Sequence, residues 1–264
     1  MPEGATRALI GGEDEFSVWR DDARGEAVLS VVIPVRNGVP LLKRTIQTVL
    51  EFLEDEIGGE LIIVSDGCTD DPSSFMAPWL EKETRLRFEC LDRHRGKGAA
   101  VRHGVLCARG DTIAYLDADL SAAPEMLLPL LRSLEQGADL ACGSRHLPGS
   151  KIEVSQGILR VMLGTLFRRT VHFMTNLSVV DTQCGCKAFR SDKLIPIFDQ
   201  LEEDGFAFDI ELLLAARRHE LGIVEIPITW SDDGRSTIRP IRDGLRMLGA
   251  LIRLAHQDRR ARNC

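Results

Sequence analysis

A chain of 264 residues, 44% apolar and 28% charged, is long enough to bury roughly three quarters of its unfolded surface, which excludes wholesale disorder. Its 33 basic against 40 acidic side chains leave a formal charge of −7, which argues against a nucleic-acid partner. No apolar run reaches the roughly 18 residues of a membrane-spanning helix, and the acidic start (Glu3, Glu13, Asp14, Glu15) is unlike a signal peptide, so a cytoplasmic location is expected.

Residues 1–26 read as a poorly ordered leader, rich in glycine and acids, ahead of a domain expected over 27–234. Val28–Ile33 is a β-branched run ended by Pro34, Asn37 and Gly38, which predicts a buried strand and a turn. Pro40 opens an amphipathic helix to about Asp55, followed by a strand at Leu61–Val64 that ends in Ser65-Asp66-Gly67. The pattern then predicts a helix at 72–82, a strand at 86–90, a helix at 98–108 and a strand at 112–116 running into Asp117-Ala118-Asp119. Helices at 125–135, 155–177 and 208–219 and strands at 138–142, 184–189 and 222–229 complete one continuous domain. Strands alternating with helices predict an α/β fold, a Rossmann-like, mostly parallel sheet with helices on both faces. In such sheets ligands bind beyond the carboxyl ends of the strands. Arg36/Asn37, Asp66, Arg93–Lys97 and Asp117/Asp119 all fall there.

Two carboxylates two residues apart at a strand end, Asp117 and Asp119, repel unless a cation lies between them. If the segment is extended, both side chains point the same way. Mg²⁺ or Mn²⁺ carrying a diphosphate suits such a pair, whereas a helix cap from Asp119 or Ser121 is the structural alternative. The run Arg93-His94-Arg95-Gly96-Lys97-Gly98 is no P-loop, because glycine follows Lys97. As a dinucleotide fingerprint it fails at Val101, which leaves a nicotinamide-dependent oxidoreductase as a rival, and its loop-to-helix junction would suit an anion. Arg145 and Arg235 supply further cations for a diphosphate. The seven cysteines are odd in number and scattered, unlike a disulfide framework, and the Cys184/Cys186 spacing is not that of a zinc site.

Val31-Val32-Ile33-Pro34-Val35-Arg36-Asn37, Ser65-Asp66-Gly67-Cys68-Thr69-Asp70, Arg95-Gly96-Lys97-Gly98 and Asp117-Ala118-Asp119, in that order, resemble the signatures of inverting family 2 glycosyltransferases with the GT-A fold. Asp181–Phe189 and Gly205–Leu213 are similar to the branch of dolichyl-phosphate and polyprenyl-phosphate glucosyl- and mannosyltransferases. The resemblance implies transfer of a hexose from a nucleotide sugar, UDP-glucose ahead of GDP-mannose. Pro34, Val35 and Asn37 would lie along the nucleotide, and Asp66 on the base or ribose. Asp117 and Asp119 would hold Mg²⁺ or Mn²⁺, Lys97, Arg145 and Arg235 would steady phosphates, and Gln183 would shape the sugar pocket. Asp209 and Glu211 would face the acceptor, with Asp209 the candidate base; the structural alternative places both in the first turn of a helix, where acids suit the dipole. A non-catalytic nucleotide-sugar-binding protein is the alternative outside the enzymes.

Residues 235–264 predict a basic amphipathic helix, with Ile241, Leu245, Leu248, Ile252 and Ala255 at helical spacing and Met247, Leu251 and Leu254 widening the stripe. From Arg235 to Arg262, eight arginines face Asp243 and Asp258, a surplus of six positive charges. Such a segment can lie peripherally on an anionic membrane or pack on the domain with a solvated arginine face. The acceptor expected is therefore a polyprenyl phosphate, with a soluble hydroxyl-bearing small molecule as the alternative. A homodimer is a further expectation.

Overall fold

β1 (Leu29–Val35), α1 (Val39–Phe52) and β2 (Glu60–Asp66) form the first βαβ unit of the computed structural model, which describes residues 29–154, 158–231 and 240–262. They are followed by α2 (Pro72–Leu80), β3 (Leu86–Leu91), α3 (Lys97–Cys107), β4 (Thr112–Tyr115), α4 (Leu127–Glu135), β5 (Leu140–Ser144) and β6 (Lys151–Val154). The chain continues through α5 (Ile158–Thr175), β7 (Lys187–Arg190), α6 (Ser191–Phe198), α7 (Phe208–Arg218), β8 (Ile223–Pro227), β9 (Thr229–Ser231) and α8 (Pro240–Arg262). The leader expected over 1–26, Arg235 and the side chain of Ile241 lie outside the described residues.

Seven strands form one sheet in the order β3-β2-β1-β4-β7-β5-β8, and β6 pairs with β9 separately. The unbroken apolar runs of β1 and β2 are explained by what lies on each side. Val31, Ile33, Leu61 and Ile63 pack with Leu42 and Ile46 of α1 and Leu127 and Leu130 of α4. The alternate residues Val32, Ile62 and Val64 pack with Val101 of α3, Leu194 of α6, Phe208 of α7 and Leu251 of α8. A pleated strand sends successive side chains to opposite faces, so the middle of a strand covered twice is apolar on both, and polar residues sit at its ends, as Ser30 and Glu60 do here in a mutual hydrogen bond.

The sheet is parallel except at β7, which runs antiparallel to both β4 and β5. That reversal brings the residues ahead of β7, 181–186, to the edge where β1, β2, β4 and β5 end. The strand expected over 222–229 is interrupted by Ile228 and divides between β8 and β9, and α6 forms in spite of Pro196 near its end. In α8 the docked face is rotated from the expected stripe. Leu251, Leu254 and Ala255 are buried, whereas Leu245, Leu248 and Ile252 are 67, 37 and 53% exposed. Cys184 and Cys186 are free thiols buried in the core.

Candidate active site

Asp117-Ala118-Asp119 follows β4 as a turn, not as the extended segment that strand alternation suggested: Leu120 N donates to Asp117 O at 2.9 Å, and Leu120 takes a φ of 51°. The Thr45 hydroxyl of α1 pins the turn through Ala118 O at 2.7 Å. Asp119 Oδ1 accepts from Ser121 N at 3.0 Å, so part of the capping alternative is realised as a local side-chain turn. Lys97 Nζ sits 2.5 Å from Asp117 Oδ1. Burial works to raise the Asp117 carboxyl, but Lys97 and then Arg145 hold it below the ordinary range. For Asp119, burial and the charge of Asp117 act together and raise it. The Lys97 ammonium is also raised, its burial being outweighed by Asp117 and Asp209.

The other oxygen of Asp117 lies in a cradle made by the loop before β7. A Cβ on Gly185 would stand 2.0 Å from Asp117 Oδ2, so only glycine lets the loop approach. Two hard carboxylates, one of them already holding a cation, fit Mg²⁺ or Mn²⁺. Gly185→Ala is therefore expected to displace Asp117 and weaken Mn²⁺ binding about tenfold or more, measured by electron paramagnetic resonance of free manganese. Unchanged affinity would separate Asp117 from the metal.

Around this pair the loops beyond β1, β2 and β3 are tied to one another. Asn37, at a φ of 48°, accepts from Thr69 N at 2.8 Å, and its own N–H reaches Cys68 Sγ. Asp66 corrects an expectation. It does not stand open for a base or ribose, because its carboxylate is filled by Arg95 N at 2.7 Å, Gly96 N at 3.0 Å and His94 Nδ1 at 2.7 Å. Arg36 Nη1 donates to His94 Nε2 at 2.7 Å, and since arginine can only donate, the ring proton lies on Nδ1 and is given to Asp66. Val35 has its side chain in the core and its carbonyl accepting from Cys68 Sγ at 3.4 Å, and Pro34 is half-buried. The glycines beside Lys97 are likewise not a phosphate cradle. Gly96, at a φ of +134°, makes room for the Asp204 carbonyl, which a Cβ would meet at 2.3 Å. Asp204 O accepts from Ala99 N at 3.1 Å and so covers the start of α3.

Arg145 follows β5 and is clamped by Asp181, with Nε and Nη2 at 2.7 and 2.8 Å from the two carboxylate oxygens. Its guanidinium also lies over Trp230, 5.5 Å from the ring centre. Burial alone would raise the Asp181 carboxyl, but the fork from Arg145 brings it down to about 2. A depressed carboxylate contributes stability that is complete above its unfolded value near pH 4 and is lost as pH falls toward 2. On that basis wild-type protein should lose on the order of 2–3 kcal/mol across this window relative to Asp181→Asn, read from urea unfolding at stepped pH. Equal acid sensitivity in both proteins would show the fork to be without weight.

Asp209 and Glu211 occupy the first turn of α7, and neither carboxylate is open. Asp209 is buried, its Oδ1 receiving Lys187 Nζ and Tyr115 OH, each at 2.5 Å. Glu211 accepts from Glu202 N at 3.1 Å and Glu203 N at 2.8 Å, fastening the loop that covers α3. The geometry thus favours the helix-turn alternative over an acceptor-facing pair. Gln183 does belong to the loop at the site, and its buried Nε2 has no hydrogen-bond partner among the described residues. Sequence reasoning overlooked Lys187 and Tyr115. A lysine between Cys186 and Ala188-Phe189 in an apolar strand was the available signal.

The sequence profile described as "Glycosyl transferase family 2" matches residues 30–198, from β1 to the end of α6. The chain belongs to glycosyl transferase family 2. Over 246 residues, this family 2 glycosyltransferase is 31% identical to the dolichyl-phosphate beta-glucosyltransferase of Saccharomyces cerevisiae, covering 86% of this chain and 74% of that one. It is 30% identical to the Homo sapiens protein of the same name over 250 residues, covering 88% and 75%. Glucosyl-3-phosphoglycerate synthase from Mycobacterium tuberculosis, solved with Mn²⁺, UDP-glucose and phosphoglyceric acid, superposes with a TM-score of 0.65 at 18% identity, over 89% of this chain and 82% of that one. Mannosyl-3-phosphoglycerate synthase from Rubrobacter xylanophilus gives 0.66 at 17% identity, over 90% and 75%. The fold is GT-A, as the ordered motifs led one to expect.

Proposed function

We propose that this glycosyltransferase moves glucose, with inversion, from UDP-glucose to a polyprenyl-phosphate acceptor, using Mg²⁺ or Mn²⁺ held by Asp117 and Asp119. The names of its relatives support the lipid-phosphate acceptor, and the ligands of the mycobacterial structure support the donor and metal. When bound, the cation would neutralise the diphosphate and so ease its departure from the sugar. Arg145, immobilised by Asp181 and close enough for Asp117 to feel its charge, places a fixed positive group where leaving-group charge develops. Lys97 exchanges its contact with Asp117 for a phosphate oxygen. Gln183, with its unpartnered amide, turns to a sugar hydroxyl. Asn37, with the backbone of Pro34 and Val35, borders the nucleotide, and Arg235 adds a phosphate contact on sequence grounds.

The observation that carries the acceptor is the state of Asp209. A hydroxyl acceptor needs a general base, whereas a phosphate is already ionised and attacks without one. The candidate base is locked under Lys187 and Tyr115, which favours the phosphate. Incubation with labelled UDP-glucose, Mn²⁺ and polyprenyl phosphate is expected to move label into the organic phase, with chelator abolishing it. Label transferred only to soluble hydroxyl compounds, or only from GDP-mannose, would overturn the corresponding part of the proposal.

Such an acceptor lies in a bilayer, and among the described residues no helix is long and apolar enough to cross one. The exposed apolar side chains of α5 (Met162, Leu166, Phe173) and of α8 (Leu245, Ile252), on helices that pack together and carry exposed Arg169 and Arg246, offer a peripheral contact with anionic lipid instead. Co-flotation with anionic vesicles should be lost in Phe173→Asp/Leu245→Asp. A wild-type dimer in sedimentation that the same variant dissociates, without flotation, would assign this face to a second copy.

A further inference from the structure

A second cluster of metal-ligating side chains lies away from Asp117 and Asp119. His103 and Cys107 are four residues apart on α3 and so share one helix face, and Glu89 of the edge strand β3 meets them. His103 Nε2 is 3.4 Å from Glu89 Oε2 and 3.8 Å from Cys107 Sγ, with the three atoms within 4.8 Å of one another. At a tetrahedral zinc centre, bond lengths of about 2.0–2.3 Å put neighbouring ligand atoms roughly 3.3–3.6 Å apart. The two spacings at His103, 3.4 and 3.8 Å, are close to these values.

The cluster is also braced. Arg87 Nη1 donates to Cys107 O at 2.6 Å, while its Nη2 donates to Glu89 Oε1 at 3.2 Å. One guanidinium therefore grips a ligand-bearing residue on the strand and another on the helix, and it occupies the glutamate oxygen that does not face His103. Outer partners of this kind fix the orientation of metal ligands. All three side chains are half-buried, which leaves a fourth position open to water. The thioether-free set of thiolate, imidazole and carboxylate suits a borderline-soft divalent cation, in contrast to the two hard carboxylates of the turn.

The geometry points to Glu89, His103 and Cys107 as a site for Zn²⁺, separate from the nucleotide-sugar centre and completed by water. Binding forms the Zn–S bond and releases the thiol proton to solvent. His103 and Cys107 lie about 9 and 15 Å along the helix axis from Lys97, at 1.5 Å per residue, so the ion joins the edge strand to the helix whose first residue holds Asp117. It is expected to protect the fold against heat whether or not donor is bound, so its test is independent of the function proposed above.

Reduced full-length protein, held in excess Mg²⁺, would be titrated with Co²⁺ and followed by absorption. One equivalent should bring up a thiolate-to-cobalt charge-transfer band with tetrahedral d–d bands, and one equivalent of Zn²⁺ should abolish them. Cobalt lodged on Asp117 and Asp119 contributes no thiolate band. Cys107→Ser and His103→Gln should each lose the signal, Arg87→Gln should weaken binding roughly tenfold or more, and Cys90→Ser should keep it, since Cys90 is exposed on the same strand but points to the opposite face. Circular dichroism would confirm that each variant folds. No band in wild type, or a band that survives Cys107→Ser or His103→Gln, would overturn the proposal.

Discussion

Asp119→Asn is expected to lower glucosyl transfer by about 10²–10³-fold, the scale seen when a preorganised group facing developing charge is removed. The substitution is chosen because its structural cost is small. Asparagine keeps an oxygen for Ser121, whose N–H Asp119 Oδ1 accepts, so the turn should persist and the melting temperature should stay near wild type. What it removes is charge. Asp117 is already half-neutralised by Lys97, which makes Asp119 the carboxylate whose full charge is available to a cation. Asp117→Asn is a poorer test, since it would strand the mostly buried Lys97 ammonium and disturb stability and activity together. The measurement is initial rate against Mn²⁺ concentration, with manganese binding followed separately. Transfer within a few-fold of wild type would remove the acid pair from the chemistry.

The sequence could be read for those features that repeat locally and not for those that depend on direction or distance. β1 and β2 were legible because burial on both faces leaves an unbroken apolar run at each strand's centre, and that pattern needs no knowledge of neighbours. The reversal of β7 was not legible. Periodicity carries no arrow, and the residues that give β7 its place, Tyr115 and Cys142 opposite Lys187, lie on strands far along the chain. The same division runs through the site. Asp117, Asp119 and Arg145 follow strand ends and Lys97 opens the helix after β3, so position alone marks them as candidates. Their restraints came from further away: Asp181 lies 36 residues from the Arg145 it clamps, and Asp209 lies 94 from the Tyr115 it bonds. Asp66 shows the opposite error. A carboxylate at a strand end was read as a ligand group, yet three N–H groups of the next loop consume it, because a buried carboxylate must be satisfied by something before it can wait for a substrate.

Lys187→Met should cost about 3–5 kcal/mol of stability, the usual penalty for removing one partner of a buried ion pair, and lower the melting temperature on the order of 10 °C. Lys187 is wholly buried, and its ammonium gives its three protons to Asp209 Oδ1, Cys184 O at 2.7 Å and Thr182 O at 3.2 Å. Burial pulls this lysine toward neutrality, but Asp209 outweighs it and raises the group. Because Lys187 also anchors Thr182 and Cys184, its loss loosens the loop whose Gly185 rests on Asp117, and metal affinity should fall along with stability. A second variant separates structure from chemistry. Lys187→Met/Asp209→Leu removes both charges, and replacing a buried pair by apolar side chains is often neutral, so this double variant should recover much of the lost stability. If Asp209 is only the lysine's partner, the refolded double variant transfers glucose at a rate near that of Lys187→Met alone. A double variant that melts like wild type but has lost transfer by a further 10²-fold or so, the contribution typical of a general base, would return Asp209 to the reaction and with it the hydroxyl acceptor.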